Sequence, residues 1–388
     1  MASRISPYVD NTGLVFAYDL ANVNRSYLGE PTVNIAAGLG LTDLGTGLTY
    51  IGVEDGWKKY SMSGTWSGGG YPYSMALDTV GFTGGLPYSV KATLKTNVEN
   101  KFNYFSTSGI SYVNQPKDYE GDLSSTLNSD GSRTVTRTNF AYTSTTGQLG
   151  YLFTNPINGI TFNPATDFVY LKAFQAEQKT HPTQFTAGTR SVTQGLKDLT
   201  GRSTIDLTNV SFDANAQMTF DGTNDQIVLD DYASSIPYGG TITVETIVKF
   251  YSFTPNDVIV AYGGNNTNFG WLHQYEFTAG LMFGIQNNPS YGAAQIGTEA
   301  SQQYLNKFIH MVGTYDGTTV RLYINGNSVA SQSYAAGIPQ STTFRIGNES
   351  GRSYYSNMDL PLARIYNRAL PASEIQQNFN AIKGRYGL

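Results

Sequence analysis

Apolar and polar residues alternate with a period of two along most of this chain, the spacing that sets one face of a β-strand against a core and the other toward water. Val320, Leu322 and Ile324 share one face of a run whose other face carries Thr319, Arg321 and Tyr323. Asp316-Gly317 makes the turn before it, Asn325-Gly326 supplies the positive φ angles of a type I′ hairpin after it, and a return strand starts at Ser328. Ile242, Val244, Thr246 and Val248 alternate in the same way, with Glu245 and Lys249 expected to face outward. Three more runs lie in the middle of the chain. Tyr88, Val90, Ala92 and Leu94 alternate in one; residues 134–142 form the second, after an Asp130-Gly131 turn; the third sets Phe168, Tyr170 and Lys172 against Val169, Leu171 and Ala173. Turn residues bound each run. One helix is predicted over residues 371–383, with Pro371 near its start, Ile375, Phe379 and Ile382 at i, i+4 and i+7, and Gly384 to stop it. So short a helix needs a sheet to bury its apolar stripe. The pattern predicts an all-β chain of two antiparallel β-sandwiches of the jelly-roll type with one short C-terminal helix.

Composition narrows the setting. The 388 residues suffice for two or three domains. Charged residues are only 14% of the chain, well below the usual quarter or so, while Gly (42) and Tyr (28) are abundant. That balance suits an extracellular or virion surface better than a cytosolic enzyme. The net charge of −5 with no basic run argues against nucleic-acid binding, which needs clustered Lys and Arg. The absence of cysteine removes any disulfide framework or thiolate metal site. The first twenty residues show no apolar stretch followed by a cleavage site, so no signal peptide is expected, and no apolar run nears the roughly 20 residues of a membrane span.

The order of segments from Phe212 to Gly384 resembles the laminin G-like, concanavalin A-like lectin sandwich: FDGTNDQIVL, GTITVETIVKF, FIHMVGTYDGTTVRLYINGNSV, FRIGNES and LPLARIYNRALPASEIQQNFNAIKG. The segment TGLVFAYDLANVNRSY resembles the opening strand of such domains in tailed-bacteriophage proteins through Gly13, Leu14, Val15, Asp19, Asn22, Ser26 and Tyr27. The continuation normally found next does not follow Tyr27. It stands instead at 195–201, GLKDLTG, with Leu196 where an aromatic is common. Before it, FQAEQKTHPTQFTAGTR resembles the closing strand of carbohydrate-binding-module-like sandwiches of phage virions, through Gln175, Glu177, Thr183, Phe185, Gly188, Thr189 and Arg190. On residues alone that run also reads as an edge strand with solvated side chains. The resemblance implies a discontinuous lectin-like sandwich of residues 8–30 and 190–388, with a second sandwich of residues 31–189 inserted. It implies a non-enzymatic structural protein of a phage virion, a capsid decoration or head-fibre protein or a tail-fibre or baseplate component, assembled in the host cytoplasm and displayed on the virion surface. Its partners would be other virion proteins, symmetry mates or a lattice, and a host surface glycan. A soluble carbohydrate-binding lectin module is the rival reading, and a polysaccharide depolymerase a further one.

Candidate chemistry is sparse. There is no nucleophile elbow, phosphate-binding loop, zinc-protease or dinucleotide motif. His181, His273 and His310 stand apart from one another in the sequence. A glycosidase needs two carboxylates about 5–9 Å apart on one face; the nearest pairs, Glu120 with Asp122 and Glu54 with Asp55, read as solvated charges, and Glu245 has no acidic neighbour two residues away. No cofactor is expected apart from a candidate Ca²⁺ ion at Asp221, Asn224 and Asp225, oxygen ligands of the type laminin G-like domains use; the same residues also encode a polar turn. Sugar binding needs exposed rings beside amides and carboxylates. Trp66, Tyr71, Tyr73, Trp271, Tyr275, Tyr354 and Tyr355 are the candidates, Trp271 and Tyr275 lying near Asn265, Asn266 and Asn268. For any single one of these rings, core packing or a protein interface is favoured over sugar binding.

Overall fold

The computed structural model describes residues 9, 11–37, 41–44, 46–67, 75–77, 79–81, 86–104, 122–141, 146–148, 151–152, 155–264 and 268–388. The chain divides into two compact units. One comprises Met1–Pro31, Ser191–Asp213 and Gln217–Leu388; the other comprises Thr32–Arg190 with Ala214–Ala216. The architecture is all-β, with antiparallel sheets and a C-terminal helix.

In the first unit two sheets enclose one core. The larger runs, in order across the sheet, Ser211–Phe212, Met218–Asp221, Asn357–Tyr366, Ile242–Phe250, Ile309–Tyr315, Thr319–Ile324 and Asn327–Ser333. The smaller runs Ile227–Val228, Phe344–Ile346, Asp257–Gly264, Asn268–Glu276, Gly280–Asn287 and Ser290–Gln295. The alternation read from the sequence places Val244, Val248, Val320 and Leu322 in the core between them. Asn325 (φ 50) and Gly326 (φ 78) make the tight turn after Thr319–Ile324.

The opening strand Leu14–Asp19 lies antiparallel to Asn357–Tyr366, with Ala17 opposite Arg364 and Asp19 opposite Leu362. Phe16, Ala17 and Tyr18 are fully buried, and the Tyr18 hydroxyl donates to the Leu360 carbonyl at 2.9 Å. Residues 195–203 hold the same strand from its other flank. Tyr27 bridges Leu196, both without exposure, so the Leu at the position where an aromatic is common still fills the core. Asp198 accepts from the Ala17 amide at 3.1 Å and from the amides of Thr200, Arg202 and Ser203.

The second unit is built on a six-stranded sheet ordered Asp122–Leu127, Arg133–Ala141, Pro87–Thr96, Phe168–Glu177, Trp57–Met62 and Leu48–Glu54. Tyr88, Val90, Ala92 and Leu94 are all buried, as their alternation predicts. The expected phase of Phe168–Glu177 fails beyond Leu171. A bulge between Leu171 and Ala173 shifts the register, so Phe174 and Ala176, rather than Ala173, turn to the core.

The side chains after that bulge are not solvated. Gln175, Glu177 and Thr183 are each 1% exposed. The Gln175 amide donates to Thr183 Oγ1 at 3.0 Å and accepts from the Thr186 amide at 2.6 Å. Glu177 accepts from the Thr183 amide at 2.8 Å and from the Thr32 hydroxyl at 2.5 Å. The Arg190 guanidinium donates to the carbonyls of Gln184 and Phe185. The run resembling a closing strand is thus a buried polar clasp rather than a solvated edge. It fastens the start of the unit to its end, where Thr32–Val33 pairs with Thr189–Arg190.

The C-terminal helix spans Ala372–Tyr386, longer than predicted. Gly384 lies within it, and the chain turns out at Gly387, which takes the left-handed conformation (φ 69, ψ 29) that suits glycine after a last helical turn. Ile375 packs with Val312, Tyr323, Tyr366 and Leu370, and Ile382 with Ile247 and Leu362. The helix therefore covers the outer side of the larger sheet, and Glu245 does not face water as its position on that side implied. It is 1% exposed and accepts from His310 Nε2 (2.9 Å), Asn378 Nδ2 (3.1 Å), the Tyr366 hydroxyl (3.2 Å) and Arg364 Nη1 (3.4 Å). Burial pushes its carboxyl up, but Arg364 and the hydrogen bonds from His310 and Tyr366 outweigh this and hold it at about 2. An ionised carboxylate only accepts, so His310 Nε2 carries the proton in this pair.

His273 faces the core from the smaller sheet. Thr246 Oγ1 donates to the Met311 carbonyl, so at 3.2 Å it accepts from His273 Nε2. Burial holds this imidazole well down, at about 3.

Glu245→Gln leaves Arg364 buried without its counter-charge and lowers unfolding free energy by about 3–5 kcal/mol in denaturant titration, while the double change E245M/R364M, which removes both charges, recovers most of that loss. Unchanged stability in Glu245→Gln contradicts the network. Both Glu245 and His273 weaken the fold in acid. The Glu245 contribution is present above its ordinary value of 4.5 and is lost as pH falls toward about 2; that of His273 is present above 6.5 and is lost as pH falls toward about 3. The His273 ring signals in an NMR titration therefore stay those of neutral imidazole down to pH values near 4 while the chain is folded.

Candidate functional site

The smaller sheet of the first unit ends in a rim of residues 347–356, shaped by one buried amide. Asn348 is 1% exposed. Its Oδ1 accepts from the amides of Glu349 (2.8 Å) and Tyr354 (3.1 Å), and its Nδ2 donates to the Arg352 carbonyl (3.0 Å) and Gln226 Oε1 (3.4 Å). One side chain thus closes the loop on itself. Gly347 begins it at φ 83, where an added Cβ would stand 2.6 Å from the Phe220 ring, so only glycine fits. Gly264 bridges Ser350, and Ser356 Oγ donates to the Val258 carbonyl at 2.8 Å.

This frame holds Tyr354 against Val258, Ala261 and Leu272 with its ring half-buried. Arg352 donates to the Tyr354 hydroxyl at 2.6 Å, its guanidinium lies 5.1 Å from the ring centre, and its Nε is 3.0 Å from Glu349 Oε1. Burial pushes the Glu349 carboxyl up, against the opposing pull of Arg352. A half-buried ring, a guanidinium and the Gln226 amide are thereby gathered in one rim, with the buried Glu349 carboxylate beneath the guanidinium. Rings take the apolar faces of a ligand, and the polar groups fix its orientation.

The other sequence candidates fall elsewhere. Trp271 is fully buried, with Tyr262, Phe283 and Phe344 around it. Tyr275 is 4% exposed and stacks on Phe253 at 4.1 Å. Both are core residues and present no ring to a ligand, because Trp271, His273 and Tyr275 alternate inward along Asn268–Glu276. Trp66 is half-buried and packs on the core of the second unit. Tyr355 is half-buried beside Tyr354. Tyr71, Tyr73, Asn265 and Asn266 lie outside the described residues, and the side chain of Asn268 is likewise not described. Asn348, Glu349 and Arg352 carried no sequence signal beyond their closeness to Tyr354, and Gln226 none beyond its place after Asp225.

The carboxylates are engaged locally. Asp225 accepts from Ser211 Oγ and the Asp221 amide, and Asp221 accepts from the Thr223 amide. Asn224 is exposed in the same turn. Among the described residues no group of three or more His, Asp or Glu side chains is placed to hold a metal ion. Glu54 pairs with Lys59 at 2.7 Å, and Asp55 sits in a turn at φ 51. Glu120 lies outside the described residues, and Asp122 opens a strand. His181 is half-buried, 3.3 Å from Thr180 Oγ1.

Residues 221–376 match the laminin G-like family model described as the concanavalin A-like lectin/glucanases superfamily. No curated protein matches the chain. Similar solved structures include the botulinum neurotoxin type G receptor binding domain (16% identity, 49% of each chain, TM-score 0.39). They also include the binding domain of Paraclostridial mosquitocidal protein 1 (18% identity, 48% of this chain and 49% of that one, TM-score 0.40). The chain spans about half the length of both these structures. The stretch 221–376 thus carries a laminin G-like, concanavalin A-like lectin domain fold.

Proposed function

We propose that this chain is a non-enzymatic adhesion and assembly protein of a phage virion, displaying a lectin-like domain whose rim at Tyr354 binds a glycan of the host surface. The observation that carries the reading is the rim itself: a half-buried ring fixed beside Arg352, Glu349 and Gln226 by one buried amide. The composition, poor in charge and rich in tyrosine, supports a protein of exposed surfaces. The 221–226 turn is read as structural, since its carboxylates accept hydrogen bonds from their own neighbours. We read the domain organisation as one sandwich of residues 8–30 and 190–388 interrupted by another at 31–189, a layout favoured where both ends of the insert lie side by side.

On a glycan array the purified chain binds a restricted set of saccharides. Tyr354→Ala and Arg352→Ala each weaken that binding at least about tenfold while the chain remains folded at the assay temperature by circular dichroism, and a calcium chelator leaves it unchanged. Binding indifferent to both substitutions removes the rim from the account, and cleavage of any saccharide removes the non-enzymatic reading. Quantified copy number in purified particles separates the locations: hundreds of copies indicate the capsid, a handful the tail. Replacing residues 32–190 by a short flexible linker leaves a chain that unfolds in a single cooperative transition; an unfolded product contradicts the proposed insertion.

A further inference from the structure

The solvent side of the six-stranded sheet in the second unit carries a ladder of rings and ammonium groups that the rim does not involve. Tyr60, Met62, Leu94, Val169 and Leu171 turn to the core, so their neighbours Trp57, Lys59, Lys95, Phe168 and Tyr170 stand on the opposite face. Lys172, exposed at the bulge, joins them. Tyr170 lies opposite Lys59 on one side and Lys95 on the other. Lys59 Nζ is 3.9 Å from the Phe168 ring centre, Lys95 Nζ is 4.4 Å from that of Trp57 and 5.1 Å from that of Tyr170, and Lys172 Nζ is 5.3 Å from that of Trp57.

The lysine stems cover the rings: Trp57 is only 5% exposed although it lies on the outer face. Cation–π contact accounts for this packing but leaves charge unmatched. Among the described residues only Lys59 of the three is in an ion pair, with Glu54 at 2.7 Å. Asp130, whose carboxyl is held below its usual range chiefly by Ser132, also feels Lys172, and Lys91 adds a further cation on this face opposite Gln175. A chain of net charge −5 has concentrated positive charge over aromatic surface here. A neutral sugar would have to displace the ammonium groups to reach the rings. A polysaccharide bearing carboxylates pairs with the ammonium groups where they stand and lays its C–H faces on the partly exposed rings of Phe168 and Tyr170.

We propose that this face is a second binding surface, for an anionic polysaccharide. The test measures binding of the full chain to polygalacturonate by affinity electrophoresis and calorimetry, with dextran, dextran sulfate and poly(U) as comparison probes, at low and physiological ionic strength. Polygalacturonate is expected to bind and dextran not to bind. The triple change K59Q/K95Q/K172Q and the single change Tyr170→Thr are each expected to weaken polygalacturonate binding at least about tenfold. Lys95→Gln and Lys172→Gln alone give intermediate losses and serve if the triple variant does not fold. Tyr354→Ala in the other unit leaves polygalacturonate binding at the wild-type level, which separates this surface from the rim. No binding of polygalacturonate at low ionic strength overturns the proposal, as does wild-type binding in the lysine variants. Tighter binding of dextran sulfate that ignores Tyr170→Thr overturns it in favour of simple polyanion attraction, and tighter binding of poly(U) in favour of a nucleic acid.

Discussion

Antiparallel pairing of Leu14–Asp19 with Asn357–Tyr366 is the contact on which the first unit depends. The opening strand does more than extend a sheet. Phe16 meets Phe344 of the opposite sheet edge-to-face at 5.3 Å, so it also joins the two layers. Arg385 of the helix reaches back to Asp19 at 2.9 Å. Larger sheet, smaller sheet and helix are thus referred to one strand. The order of Asn348 and its rim presupposes that frame, because the rim springs from Phe344–Ile346 and returns into Asn357–Tyr366.

Each long-range closure is fastened by a buried acid surrounded by donors. Asp198 gathers four backbone amides around the opening strand. Glu245 gathers four side chains beneath the helix. Glu177 gathers Thr32 and Thr183 where the second unit begins and ends. A buried carboxylate is costly unless such donors surround it, so each acid penalises alternative packings more than it adds to net stability. Placement matters more than strength in such clusters.

Much of this was legible in the chain. Alternation is a strong signal where one face is buried and the other wet, which is why Tyr88 to Leu94 and Val320 to Leu322 read correctly. The order of strands, and the continuation of Tyr27 at Leu196, came from the resemblance to lectin-like domains and not from alternation; Tyr27 does bridge Leu196. Alternation assigns a residue to a face but says nothing about what covers that face. Glu245 sits on the outer face as its position requires, and a helix that arrives more than a hundred residues later buries it. Trp271 and Tyr275 misled because asparagines and glycines around them suggest a loop, whereas the strand carries both rings inward. The bulge at Leu171 inverts a phase with no marker of its own. Of the rim, Tyr354 stood out as an aromatic; Asn348 could not, because its role lies in four contacts that exist only once the loop is folded.

The opening strand also has a history imposed by the ribosome. Tyr18 is made 342 residues before Leu360, whose carbonyl its hydroxyl meets. At about 5–20 residues per second, roughly 17 to 70 s pass between the two. For that interval Val15, Phe16 and Tyr18 lack the strand they pair with, and the second unit, once Arg190 has been made, can fold before that strand exists. A unit assembled from such separated stretches depends on survival of the nascent chain as well as on equilibrium stability.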